Sequence, residues 1–100
     1  MYIVELTYCK PLEEVDTLLE LHKTFLNKYY RSGNFLLSGR KNPRIGGVIL
    51  ANAANLDEMK QIIAADPFNV NGVASYSITE FLPTMSADTL KFLLTNQRKK

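Results

Sequence analysis

A run of strand-like residues that gives way to helical spacing, and the same change met again later, limits this chain to few folds. Tyr2 to Tyr8, YIVELTY, is rich in β-branched and aromatic residues and contains no breaker, so it reads as a strand. Cys9, Lys10 and Pro11 form its exit, and Pro11 stands where a helix start tolerates a fixed φ and a missing N–H. From about Leu12 to Arg31 the spacing is helical. Leu18, His22, Phe25 and Tyr29 step by four, three and four residues, so they share one face, which Leu19 and Leu26 widen. Glu13, Glu14 and Asp16 in the first turns and Lys28 and Arg31 in the last suit the helix dipole. Ser32-Gly33-Asn34 ends the helix, with Gly33 as its left-handed cap.

Phe35 to Gly39 reads as a second strand, with Phe35 and Leu37 on one side and Leu36 on the other. Arg40 to Ile45 is a polar connection containing Pro43, and Gly46 to Ala51 is a third strand, so the pair reads as a hairpin. Asn55 and Glu58 have capping-box spacing at the start of a second helix. Leu56, Met59, Ile62 and Ile63 form its apolar face, and Pro67 requires it to stop near Asp66. Asp66 to Gly72, DPFNVNG, reads as a loop. Val73 to Leu82 is a fourth strand with Ala74, Tyr76, Ile78 and Leu82 on one face, ended by Pro83. Ser86 is placed to cap a final helix with Leu90, Leu93 and Leu94 inside.

The order is strand, helix, strand, strand, helix, strand, then a terminal helix. Right-handed crossovers make this an α+β, ferredoxin-like βαββαβ fold with a C-terminal helix. Both helices then cover one sheet face, and in a monomer the other face should be polar. Strand one sets Tyr2, Val4, Leu6 and Tyr8 against Ile3, Glu5 and Thr7, and strand three sets Val48 and Leu50 against Ile49. Neither face is clearly polar, so a homodimer is expected, with sheet faces packed about a two-fold axis.

The net charge of +2 is too small to argue for nucleic acid. An RNA-binding sheet also needs stacking aromatics on its central strands, and GGVILANA has none. No apolar run approaches the roughly 20 residues that cross a bilayer, and MYIVELTY lacks the pattern of a signal peptide, so no membrane partner and a cytoplasmic location are expected. Cys9 is the only cysteine and has no evident activating partner. One His and one Cys do not make a zinc site, and glycines 39, 46 and 47 do not form a phosphate cradle, so neither a metal nor a cofactor is expected. Ser38 lacks a second histidine for a hydrolase triad. The tail Arg98, Lys99, Lys100 reads as solvated.

His22 is the only histidine, and it points where the core residues of its helix point. It is either a satisfied core residue or a titrating group in a dry pocket. Its ordinary range lies nearest neutral pH among side chains, which suits proton transfer. Asp66 follows a helix C-terminus, where the dipole disfavours its charge, so a nearby cation would be favourable. On the residues alone it is equally a turn former before proline. Arg40, Lys41 and Arg44 are either a solvated hairpin loop or, through guanidinium groups, an anion-binding lip.

Four features together resemble the YCII-related (YciI-like) family. They are a histidine in the middle of the first helix (LLELHKTFL), Ser38-Gly39 at a strand end, Gly46-Gly47 entering the third strand, and Asp66-Pro67-Phe68 after the second helix. The likeness runs from Tyr2 to about Pro83 and implies one domain over residues 1–100, similar in fold to muconolactone isomerase and other dimeric α/β-barrel proteins. It also implies a His–Asp pair as active site, which falls on His22 and Asp66, with some relatives acting on small aromatic compounds as dehydrochlorinases. The family commonly carries Gly-Pro after the second strand. This chain has Gly39-Arg40, so its pocket lip and substrate are expected to differ.

Two functions follow. One is a cofactor-free lyase, isomerase or dehydrochlorinase-like enzyme in which His22 and Asp66 move a proton. Its small anionic or aromatic substrate would meet Ser38, Arg40 and Arg44. The other is a non-catalytic homodimer that binds a metabolite in the same pocket.

Overall fold

A computed structural model describes residues 1–94, so the basic tail lies outside the described residues. Four strands, β1 (Tyr2–Tyr8), β2 (Phe35–Arg40), β3 (Gly46–Ala51) and β4 (Ala74–Glu80), form one sheet. Their order is β2-β3-β1-β4, and every neighbouring pair is antiparallel. Each helical connection passes over one intervening strand: β1 to β2 spans β3, and β3 to β4 spans β1. This is the ferredoxin-like arrangement read from the sequence.

Tyr2, Val4 and Leu6 of β1 are buried on one sheet face, and Ile3, Glu5 and Thr7 are exposed on the other. Burying the first set against Val15, Phe25, Ile49, Met59, Ile63 and Phe68 makes the core. A side chain such as Phe25 contributes about 1.5–3 kcal/mol by leaving water. The open face is mixed, as its sequence implied. Val48 and Leu37 lie there at 38% and 60% exposure, while β4 adds Ser75, Ser77 and Thr79.

Four local expectations are revised. The first helix is two, α1 (Leu12–Thr17) and α2 (Leu19–Arg31), joined at Leu18 with φ −104° and ψ 0°. The Thr17 hydroxyl donates to the Glu14 carbonyl, a side-chain bond that competes with the helix ladder just before the break. A bulge between Phe35 and Leu37 makes Leu36 the extra residue. Phe35 is therefore buried opposite Ala51 while Leu37 faces outward opposite Leu50, against the simple alternation expected. The second helix, α3 (Leu56–Ala64), starts at Asn55, whose side chain accepts from Glu58 N–H at 2.8 Å. Glu58 reaches back to Ala54 N–H instead of completing the reciprocal box. At the other end Asp88–Leu93 is a 3₁₀ helix, and the Ser86 hydroxyl bonds the Ala87 carbonyl and does not cap it. Leu94 is buried but Leu90 is 46% exposed.

The revision that matters most concerns Asp66. The expected loop contains a one-turn helix, α4 (Pro67–Val70), with Pro67 at its first position. Asp66 caps this turn: its side chain accepts the Phe68 N–H at 3.0 Å. The carboxylate therefore lies at a helix start, where the dipole favours negative charge, and not merely after a helix end as the sequence implied.

Candidate functional site

The Asp-Pro-Phe sequence builds half of the site in one turn. Proline sets the φ of the first helical position, aspartate caps it, and phenylalanine turns into the core, where it is 1% exposed. Its ring stacks on the His22 imidazole with centroids 4.0 Å apart and planes 7° from parallel. The histidine comes from α2, one turn before Phe25, whose ring flanks it at 6.3 Å. Asp66 thus supplies an acceptor and Phe68 a platform for the same imidazole.

Three donors converge on the Asp66 carboxylate, which is fully buried. The His22 ring nitrogen Nδ1 lies 2.8 Å from Oδ1, and the Phe68 N–H shares that oxygen. The Tyr76 hydroxyl donates to Oδ2 at 2.6 Å. Burial, followed by the Asp66 hydrogen bond and charge, raises Tyr76 well above the ordinary phenol range. Its proton therefore stays on oxygen at neutral pH and the donor is permanent. A carboxylate surrounded by donors assigns the proton of the His22–Asp66 bond to Nδ1, which leaves Nε2 as the nitrogen able to accept. No hydrogen bond from a described residue occupies Nε2.

A cavity of about 480 Å³ lies in front of this group. His22, Leu19 and Leu26 of α2, with Phe68 stacked on the imidazole, line one side, and Leu6 and the β2–β3 hairpin line the other. Its space comes from glycine. In the row Arg40–Gly47–Leu6–Tyr76 on the helix-facing side of the sheet, Gly47 contributes no side chain. Gly46 beside it approaches β1 so closely that a Cβ would lie 1.8 Å from the Leu6 carbonyl oxygen. The two glycines therefore do different things: Gly46 permits strand contact, and Gly47 leaves room above the sheet.

Five of the residues singled out in the sequence meet here, whereas Lys41, named with Arg40 and Arg44 as a possible anion-binding lip, pairs with Glu5 on the open sheet face. Ser38, Arg40 and Arg44 line the cavity together with His22, and Asp66 stands directly behind the imidazole. Ser38 Oγ shares a short hydrogen bond with the Tyr30 hydroxyl. The Arg44 guanidinium donates to Asp16 on α1, which holds the Asp16 carboxyl below its usual range. Among the described residues, no cluster of three or more His, Cys, Asp or Glu side chains is placed to hold a metal ion.

Sequence reasoning missed three participants. Tyr76 appeared only as an apolar position of β4, although its helix-facing register against Leu6 was a usable signal. Asp16 was read only as part of a helix start and Tyr30 was given no role within the first helix, and nothing local marks their partners in the hairpin and β2.

The YCII-related domain pattern matches residues 1–82. No curated protein matches the sequence. Among solved structures the chain is similar to 5-chloro-2-hydroxyhydroquinone dehydrochlorinase from Burkholderia phenoliruptrix, in complex with 2,5-dihydroxybenzoquinone. The TM-score is 0.67 at 15% sequence identity, covering 81% of this chain and 93% of that one, which is a likeness of fold.

Proposed function

Since the chain belongs to the YCII-related domain family, we propose that it is a small-molecule enzyme in which His22 and Asp66 transfer a proton without a cofactor. One observation carries the reading: a fully buried carboxylate lies 2.8 Å from Nδ1 of a histidine whose ring forms the wall of a cavity. A satisfied core histidine would not need an open cavity beside it. In the reaction Nε2 takes a proton from the bound substrate and Asp66 stabilises the imidazolium that forms. The electron pair left on the substrate expels a leaving group on the neighbouring atom or moves a double bond. Elimination and isomerisation are both served by this step, and a planar substrate fits between the Phe68 wall and the hairpin. Ser38, Arg40 and Arg44 are the proposed substrate contacts.

The fold neighbour's substrate provides a first assay. The chain and its His22→Ala variant are incubated with 5-chloro-2-hydroxyhydroquinone, and chloride release is followed. Turnover by the parent, reduced about 100-fold or more in the variant, is expected for loss of a general base. Equal turnover by both refutes the role of His22. A ligand bound tightly and recovered unaltered after long incubation favours the non-catalytic alternative.

A homodimer is part of the proposal. The open sheet face carries Ile3, Leu37 and Val48 among serines, threonines and the Glu5–Lys41 ion pair, and a second copy placed face to face would cover them. Sedimentation as a monomer at micromolar concentration refutes this.

A further inference from the structure

We propose that the substrate is a small organic acid and that Arg40 is the residue that reads its charge. This rests on the proton-transfer reading in taking the cavity as the reaction site. Three cations crowd the hairpin, and they have different employment. Lys41 Nζ turns to the open face of the sheet, 2.9 Å from Glu5 and 3.4 Å from the Thr7 hydroxyl. Arg44 is held by Asp16. Arg40 forms no ion pair with any described residue. It belongs to the helix-facing row, opposite Gly47, and lines the cavity with His22.

The cavity's charges agree. Arg40, Arg44 and Lys23 face one carboxylate, Asp16, for a net charge of +2. Asp16 is engaged by Arg44, while Lys23 is 57% exposed and leans on Glu20 at 3.7 Å. Arg40 is therefore the uncompensated guanidinium. Its planar fork matches a carboxylate in bidentate fashion, which a lysine cannot do. Apolar walls of Leu6, Leu19 and Leu26 concentrate its field on the cavity. Two residues earlier on the same strand face, Ser38 shares one proton with Tyr30, so the pair of hydroxyls retains a second O–H for a ligand oxygen. A flat acid would lie with its carboxylate on Arg40, a neighbouring oxygen on Ser38 and the acidic proton at Nε2 of His22.

The test uses two probes of nearly equal shape, benzoate and benzamide, titrated into the isotope-labelled chain and followed at the Arg40 Nε–H and His22 ring resonances. Benzoate binding about tenfold or more tighter than benzamide is expected, with the Arg40 signal moving. Arg40→Gln equalises the two probes. Lys41→Gln, the same loss of charge one residue on, preserves the preference. Equal binding of both probes, no response to either at 10 mM (about the weakest affinity such a pair would show), or a preference abolished equally by Lys41→Gln overturns the proposal. The two readings fail separately. A benzoate preference retained in His22→Gln together with retained turnover defeats proton transfer and leaves the anion subsite standing. Loss of turnover in His22→Gln with no probe preference in the parent does the reverse.

Discussion

Replacing Tyr76 by Phe removes one oxygen from the protein and leaves the ring that packs in β4. The structure makes this a sharp perturbation, because the lost O–H is one of three donors to a fully buried carboxylate, at 2.6 Å. A hydrogen bond to a charged group is worth about 1.5–3 kcal/mol, and one carboxylate oxygen is left without a donor. For a 100-residue chain the expected fall in Tm is about 6–24 °C. Urea unfolding at neutral pH measures it directly, with Asp66→Asn and the double variant completing a cycle. The pH dependence gives a second reading. Tyr76 is raised in the folded state by burial and by Asp66, so the folded form keeps a proton that the unfolded chain loses above about pH 10. The unfolded chain then binds fewer protons, and stability falls as pH rises past that value while being fully present below it. Tyr76→Phe should show a shallower alkaline fall. Some slope should remain, because Tyr2 is also raised, by burial and then by Glu80. A loss under about 0.5 kcal/mol, within the range of a neutral surface change, together with an unchanged alkaline slope would refute the argument that Tyr76 holds Asp66.

Other outcomes are equally specific. Asp66→Asn should move the His22 ring from the Nδ1–H tautomer towards a mixture, seen in its ring ¹⁵N shifts; an unchanged tautomer would mean that the carboxylate does not orient the ring. Gly46→Ala should destabilise the fold by about 3 kcal/mol in urea unfolding, since its Cβ would meet the Leu6 carbonyl oxygen at 1.8 Å. Gly47→Val should close the cavity to benzoate in the NMR titration while the chain still folds, because its Cβ meets only the Gly39 carbonyl oxygen, at 3.0 Å. Asn55→Ala should lower stability by about 1 kcal/mol through loss of the α3 cap, measured as a shift in the urea midpoint.

The strands, the helix bearing His22 and the hairpin were legible because each has its own period and its own stops. The face shared by His22 and Phe25 followed from spacing alone, and the structure keeps them together. Asp66 was legible only through the family resemblance, since Asp before Pro is ordinary turn chemistry. Its electrostatic setting was misread because one turn of helix leaves almost no periodicity to detect. The bulge at Leu36 was hidden because a bulge breaks the very alternation used to assign faces. Tyr76 was hidden for another reason: strand register says which way a ring points but not what its hydroxyl reaches across the core. The Asp16–Arg44 pair joins residues 28 apart in sequence, and no local rule relates them.

The origin of the cavity in Gly47 has a consequence for how such a protein can diversify. The imidazole, its carboxylate and the tyrosine behind them are held by α2, α4 and β4, whereas the opposite wall belongs to the β2–β3 hairpin. Among the described residues the hairpin's polar side-chain ties to the helices are Arg44 with Asp16 and Ser38 with Tyr30, and neither involves His22, Asp66 or Tyr76. Changes in that hairpin can therefore alter what the cavity admits without disturbing the group formed by His22, Asp66 and Tyr76. Two chains of this fold can thus share the histidine, aspartate and tyrosine and still differ in the molecules their cavities admit.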